Sequence, residues 1–261
     1  MSDLAESWSQ FSGLFAREII KTFRNPWVLI VTVVQPFMWL AFFGSSFANV
    51  PKSTLEGLFH TSNYIEFMLP GVLSTSMLSV GMFGAMSTIQ DKRFGFMKRI
   101  LITPASKQII FLSKALGSAT RGLVQIPVMV AAAVVFGVSF GLSPLEWCAW
   151  IAALLCLAVG FASLFLAVTA SSTDWQTPGV VANFITMPLM FASQSLFPAT
   201  QFPEWMRAIS DVNPVSFSAT LGRSFVLGET IDWTNLGYLG AFALLMLAIG
   251  YFVSARWLKV E

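Results

Sequence analysis

The chain has 261 residues, of which 56% are hydrophobic and only 11% charged, and its mean hydropathy is +0.72. Soluble domains carry roughly 25% charged residues, so water is excluded as the main solvent. A formal net charge of +2 says little as a sum and no nucleic-acid partner is expected; the charges inform through where they fall along the chain.

Six apolar stretches, 27–47, 67–89, 116–140, 147–169, 179–196 and 236–254, each approach the ~20 residues that a helix needs to cross the hydrocarbon core. The predicted fold is therefore all-α and integral to the membrane, a single domain over residues 1–261. Arg17, Lys21 and Arg24 precede the first span. Lys92, Arg93, Lys98, Arg99, Lys107 and Lys114 lie between the second and third, and Arg256 and Lys259 follow the last. Only Lys52, Arg207 and Arg223 fall on the other side. The positive-inside bias then puts both termini and the 90–114 loop in the cytoplasm of a multi-pass protein of the cell (inner) membrane.

Residues 1–25 read as an amphipathic helix, since Leu4, Trp8, Phe11, Phe15 and Ile19 recur at three- and four-residue spacing. Asp3 followed by Glu6 has the form of a capping box. With aromatics on one side and Arg17, Lys21 and Arg24 toward its end, the helix is expected in the cytoplasmic interface. Asn25-Pro26 then turns the chain into the first span. No secretory signal is visible in this polar lead, so the mature chain is expected to begin at Met1.

Within the spans, Pro36, Pro127 and Pro188 remove backbone donors and are expected to bend their helices. Gly137-x-x-x-Gly141 offers a close-packing face at the outer end of the third span. Gly117 to Gly122 has the glycine spacing of a phosphate loop, but Leu123 and Val124 stand where Lys and Ser/Thr are needed, so it reads as a packing segment. Arg121 is the one charge well inside a span, expected to snorkel inward or pair with a carbonyl. Cys148 and Cys156, eight apart on one helix, cannot bridge each other and read as small buried hydrophobes. A single His60, no metal-spaced cluster and no paired intramembrane carboxylates leave no catalytic or metal site.

Two segments outside the spans are distinctive. Over 91–103, Phe94, Met97 and Leu101 fall on one helical face among charges, and Pro104 stops the helix before Ser106 caps the next. That face is covered either by the protein's own helices and lipid headgroups or by a groove on a soluble partner. Residues 197–235 are too interrupted to span and too apolar for a free loop. Trp205, Met206, Ile209 and Val212 share a face, and Asn213-Pro214 breaks the segment. Two half-length helices entering from the outer surface fit, with Arg223 and Glu229 close to the aqueous rim; an outer loop lying on the interface is the alternative.

The order of these parts is similar to that of type-2 ABC transporter permeases. An amphipathic lead and two spans are followed by Asp-x-x-x-Gly-x-x-x-Arg-x-x-x-x-Pro (Asp91, Gly95, Arg99, Pro104) and three further spans. Then come Phe-Pro-x-x-x-x-Pro-x-Trp (Phe197, Pro198, Pro203, Trp205), Asn213-Pro214 and Arg223. The resemblance covers nearly the whole chain and is closest to daunorubicin-type drug exporters and to nodulation-factor and polysaccharide exporters. Many relatives carry Glu near the start of the charged loop, where this chain has Asp91, Lys92 and Arg93.

The resemblance implies an ATP-driven exporter of a hydrophobic or amphipathic substrate, a drug, lipid or lipid-linked glycan. The chain would be one of two permeases, identical or homologous, above two separate nucleotide-binding subunits. ATP and magnesium then belong to the partner, and this chain carries no cofactor and is not an enzyme. Asp91, Arg93, Phe94, Gly95, Met97 and Arg99 would form a coupling helix for the ATPase. The 197–230 segment, with Phe197, Pro198, Trp205, Asn213, Pro214 and Arg223, would form re-entrant helices closing the outer end. A secondary transporter would be expected to carry more ionisable groups at mid-membrane than Arg121. A structural or assembly membrane protein would have no use for the amphipathic 91–103 segment.

Overall fold

The computed structural model describes residues 2–170, 174 and 176–257. Among these, the elements are α1 (Ser2–Phe23), α2 (Pro26–Phe47), α3 (Lys52–Phe59), α4 (Tyr64–Arg93), α5 (Phe96–Leu101), α6 (Lys107–Val135), α7 (Pro144–Thr169), α8 (Thr177–Phe191), α9 (Glu204–Ser210), α10 (Pro214–Leu227) and α11 (Thr234–Trp257). No strand occurs among the described residues. The Asp3, Arg256 and Lys259 side chains, all given roles above, lie outside the described part.

Five helices, α2, α4, α6, α7 and α11, are long and apolar enough to cross a membrane. The remaining apolar stretch forms α8, only 15 residues, which at 1.5 Å per residue spans about 22 Å of the ~30 Å core. At its end the Asn213 amide donates to the carbonyls of Leu189 and Ala192, at 2.7 and 3.1 Å, supplying donors that the last turn of a helix lacks. Pro36, Pro127 and Pro188 all lie inside helices that continue past them.

The centre of the fold is α4, apolar on every side and buried along its length, packed by α7, α10, α6, α2 and α8. By contrast α2 and α11 are peripheral and turn Ile30, Val34, Phe42, Leu244, Leu245 and Phe252 outward, a surface suited to hydrocarbon. Beside the N-terminal half of α6 lies α1. A Cβ at Gly117 would stand 2.6 Å from the Glu18 side chain and one at Gly122 2.7 Å from the Met77 sulfur, so that glycine run is a packing face.

Two local features differ from expectation, and the helix α3 is an addition to it. Gly137 adopts a φ of +87° directly after α6, and neither it nor Gly141 has a neighbour where a Cβ would stand; the pair is a helix stop, not a packing face. Cys148 is exposed and Cys156 half-buried, both unbridged. The loop between α2 and α4 contains α3, whose Phe59 packs edge-on against Tyr64 and Phe67 at 4.8 and 4.9 Å between centroids, tying the loop to the start of α4.

Candidate functional site

The C-terminal end of α4 is built around Asp91, on its last turn and 2% exposed. Its carboxylate accepts two hydrogen bonds from the Arg17 guanidinium at 3.0 and 3.2 Å, one from Lys21 at 2.9 Å and one from Lys114. Lys114 also reaches Glu18 at 3.2 Å, and Glu18 pairs with Arg17 at 3.0 Å. One buried ionic cluster thereby joins α1, α4 and α6. Burial pulls the Arg17 guanidinium down, but the hydrogen bond and charge of Asp91 more than offset this and hold it above its ordinary value. For Lys21 burial prevails over the same carboxylate, and its pKa falls. Two helical turns past Lys114, Arg121 donates to the Thr22 hydroxyl at 3.0 Å, so the intramembrane arginine pairs with α1 rather than with a carbonyl.

After Arg93 the helix breaks. Gly95 has a φ of +74°, a left-handed conformation open to glycine at little cost, and starts the separate six-residue α5. The 91–103 segment is thus divided between the end of α4, a joint at Gly95 and α5. This sorts the expected coupling residues into two sets. Asp91 points into the cluster, and Met97, 3% exposed, packs with Ile100 against Ile110 and Leu14. Arg93, Phe94 and Arg99 face outward, joined by Phe96 and Ile102; Phe94 is 72% exposed and Ile102 82%. The Arg99 guanidinium lies 5.8 Å from the Phe96 ring centroid. Lys92 turns away from this face and donates to the Thr169 and Ala170 carbonyls, where the C-terminal end of α7 favours a cation.

The 197–230 segment forms α9 and α10, broken at Asn213-Pro214 as expected. Asn213 is the pivot: its side-chain oxygen accepts from the Val215 backbone N–H at 3.0 Å, capping α10, while its amide nitrogen closes α8. Pro214 occupies the first position of α10, where no backbone donor is missed. In α10 the buried residues run from Val215 to Phe225, and its Ser218 pairs with Ser74 of α4 at 2.8 Å. In contrast α9 lies at the surface, with Trp205 exposed and only Ser210 buried. Phe197 and Pro198 lead into it through a short 3-10 turn.

Arg223 is not at an aqueous rim. It is 7% exposed, donates to the Phe67 carbonyl at 3.1 Å and to that of Gln194, and stacks 3.6 Å from the Phe67 ring centroid. Nearby, the Tyr64 hydroxyl donates to the Leu196 carbonyl at 2.9 Å. Glu229 does reach the surface and faces His60 at 3.4 Å. No cluster of metal ligands occurs among the described residues.

The chain is thus a helical membrane unit with a charged joint at one end of α4 and, at the other, the buried α10 preceded by the surface helix α9. Residues 9–227 match the ABC-2 type transporter family, and the chain belongs to that family. Among its relatives, ycf38 of Porphyra purpurea, which carries a transport-permease name, is 25% identical over 97% of this chain and 89% of its own. The inner membrane transport permease YadH of Escherichia coli K12 is 23% identical over 85% of this chain and 84% of its own. The daunorubicin resistance ABC transporter permease protein DrrB1 of Streptomyces coeruleorubidus is 24% identical over 80% and 71%. The protein is a multi-pass membrane permease component of an ABC transporter.

Proposed function

We propose that this permease is half of the membrane part of an ATP-driven exporter for a hydrophobic or amphipathic substrate, coupled to a separate ATPase through the outward face of residues 93–102. The observation that carries the coupling role is the division at Gly95. Met97 and Ile100 anchor α5 to the permease, while Phe94, Phe96 and Ile102 stand exposed among Arg93, Lys98 and Arg99. Apolar side chains bordered by cations, beside a joint rather than within a span, suit a groove on a soluble subunit. A second permease copy or homologue completes the membrane part in this reading, and the outer end is closed by α9 and α10. The inner-membrane name of YadH and the drug-resistance name of DrrB1 support an exporter in a cell membrane.

The test is co-purification of the tagged chain with a co-expressed ABC ATPase subunit, comparing wild type with Phe94→Asp and Ile102→Asp. Both variants are expected to lose the ATPase while staying folded, because a carboxylate in an apolar groove is desolvated without a partner. Full retention of the ATPase by both would remove this face from the interface.

A further inference from the structure

We infer that the cleft between α1 and the end of α4 is a binding site for the headgroup of an anionic phospholipid. The cleft has a volume of about 560 Å³ and is lined by one face of α1 and by Asp91 and Phe96. That face is built at helical spacing: Gly13 and Ala16 leave the room, while Arg17, Lys21 and Arg24 supply the charge. The charges do not balance. Arg17, Lys21 and Lys114 share the two carboxylates Glu18 and Asp91, and Arg24 adds a further cation with no ion-pair partner among the described residues.

The surplus is accessible, with the Arg17 and Lys21 side chains 34% and 30% exposed. A phosphodiester there accepts hydrogen bonds from donors that Asp91 leaves partly unused, since a guanidinium carries five N–H groups and an ammonium three. Apolar surface adjoins the charge: Ile20 lines the cleft, and Phe23 and Trp27, on either side of Arg24, are exposed. Acyl chains attached to the phosphate have somewhere to lie, which a free phosphate does not need. The cytoplasmic leaflet is where anionic lipid meets such basic segments, so the inference rests on the inward orientation of this end but not on any ATPase.

Native mass spectrometry of the purified full-length chain tests it, with phosphatidylglycerol and phosphatidylcholine titrated separately. Phosphatidylglycerol is expected to bind more tightly. Arg24→Gln should weaken it about fivefold, the effect of one basic residue at an anionic lipid surface. Ala16→Trp fills the cleft without altering a charge and should abolish the preference, whereas Lys98→Gln, an equal charge loss on α5, should leave it unchanged. Equal binding of the two lipids, or equal weakening by Arg24→Gln and Lys98→Gln, would overturn the site. Displacement of the lipid by inorganic phosphate, sensitive to Arg24→Gln, would assign the cleft to free phosphate instead. An Arg24→Gln protein that keeps its lipid preference but loses a co-expressed ATPase would assign it to the protein partner.

Discussion

Lys114 and Asp91, on different helices, meet as an ion pair nearly sealed from solvent, with Glu18 3.2 Å from the same ammonium. Removing one member leaves the others buried without their counter-charge, which costs about 3–5 kcal/mol. Lys114→Met and Asp91→Asn should each lower the unfolding temperature of the detergent-purified chain by several degrees. The double variant should lose less than the sum, because each single change already breaks the shared contact. Strict additivity would mean that the two groups do not act together.

Asn213 holds two helix ends at once. Asn213→Ala removes an N-cap and uncovers the Leu189 and Ala192 carbonyls, an expected cost of about 2–3 kcal/mol. Asn213→Asp keeps the cap acceptor but points a second acceptor at those carbonyls, so it should be no more stable than Ala. Thermal unfolding of the three proteins side by side decides this, and an Asp variant as stable as wild type would disprove the dual role.

Met97 and Phe94 lie three residues apart and should respond differently to the same substitution. Met97→Asp puts a carboxylate into the packing between α5, α6 and α1 and should reduce the yield of folded protein. Phe94→Asp sits in solvent and should leave stability within about 0.5 kcal/mol, with its effect confined to transport and ATPase association. Similar losses of folded protein in both would place Phe94 in the core as well.

Single cysteines along residues 205–226, in a Cys148→Ser/Cys156→Ala background, should separate α9 from α10. Positions 205 and 212 are exposed and should react with a membrane-impermeant thiol reagent added from outside, whereas 215, 219 and 221 are buried and should be protected. Uniform labelling over the whole segment would describe a loop on the surface.

The apolar stretches were legible because burial in lipid or protein demands long runs of apolar residues, and the Asn213-Pro214 break was legible because both residues have strong local preferences. The capping of the end of α8 was not, since the side chain that supplies it lies more than twenty residues away. The spacing of Phe94, Met97 and Leu101 suggested one helix because it ignored the joint that Gly95 permits. Arg17, Lys21 and Lys114 passed as ordinary charges near the membrane surface. Their partner Asp91 is up to 74 residues distant, and no periodicity reports a contact of that range. The clue available was Glu18, an acid beside Arg17 close to the apolar face of the lead helix.

Both clusters are fastened to the same helix. At 30 residues α4 is a rod of about 45 Å, with Asp91 gripped at one tip and Tyr64 and Phe67 at the other. The contacts of Arg17 and Lys114 at one end and those of Leu196 and Arg223 at the other are therefore made to one continuous helix. Pro70 is the one missing rung in that rod, and it lies just beneath the upper grip. The backbone of α4 is accordingly one hydrogen bond short close to its Tyr64 end.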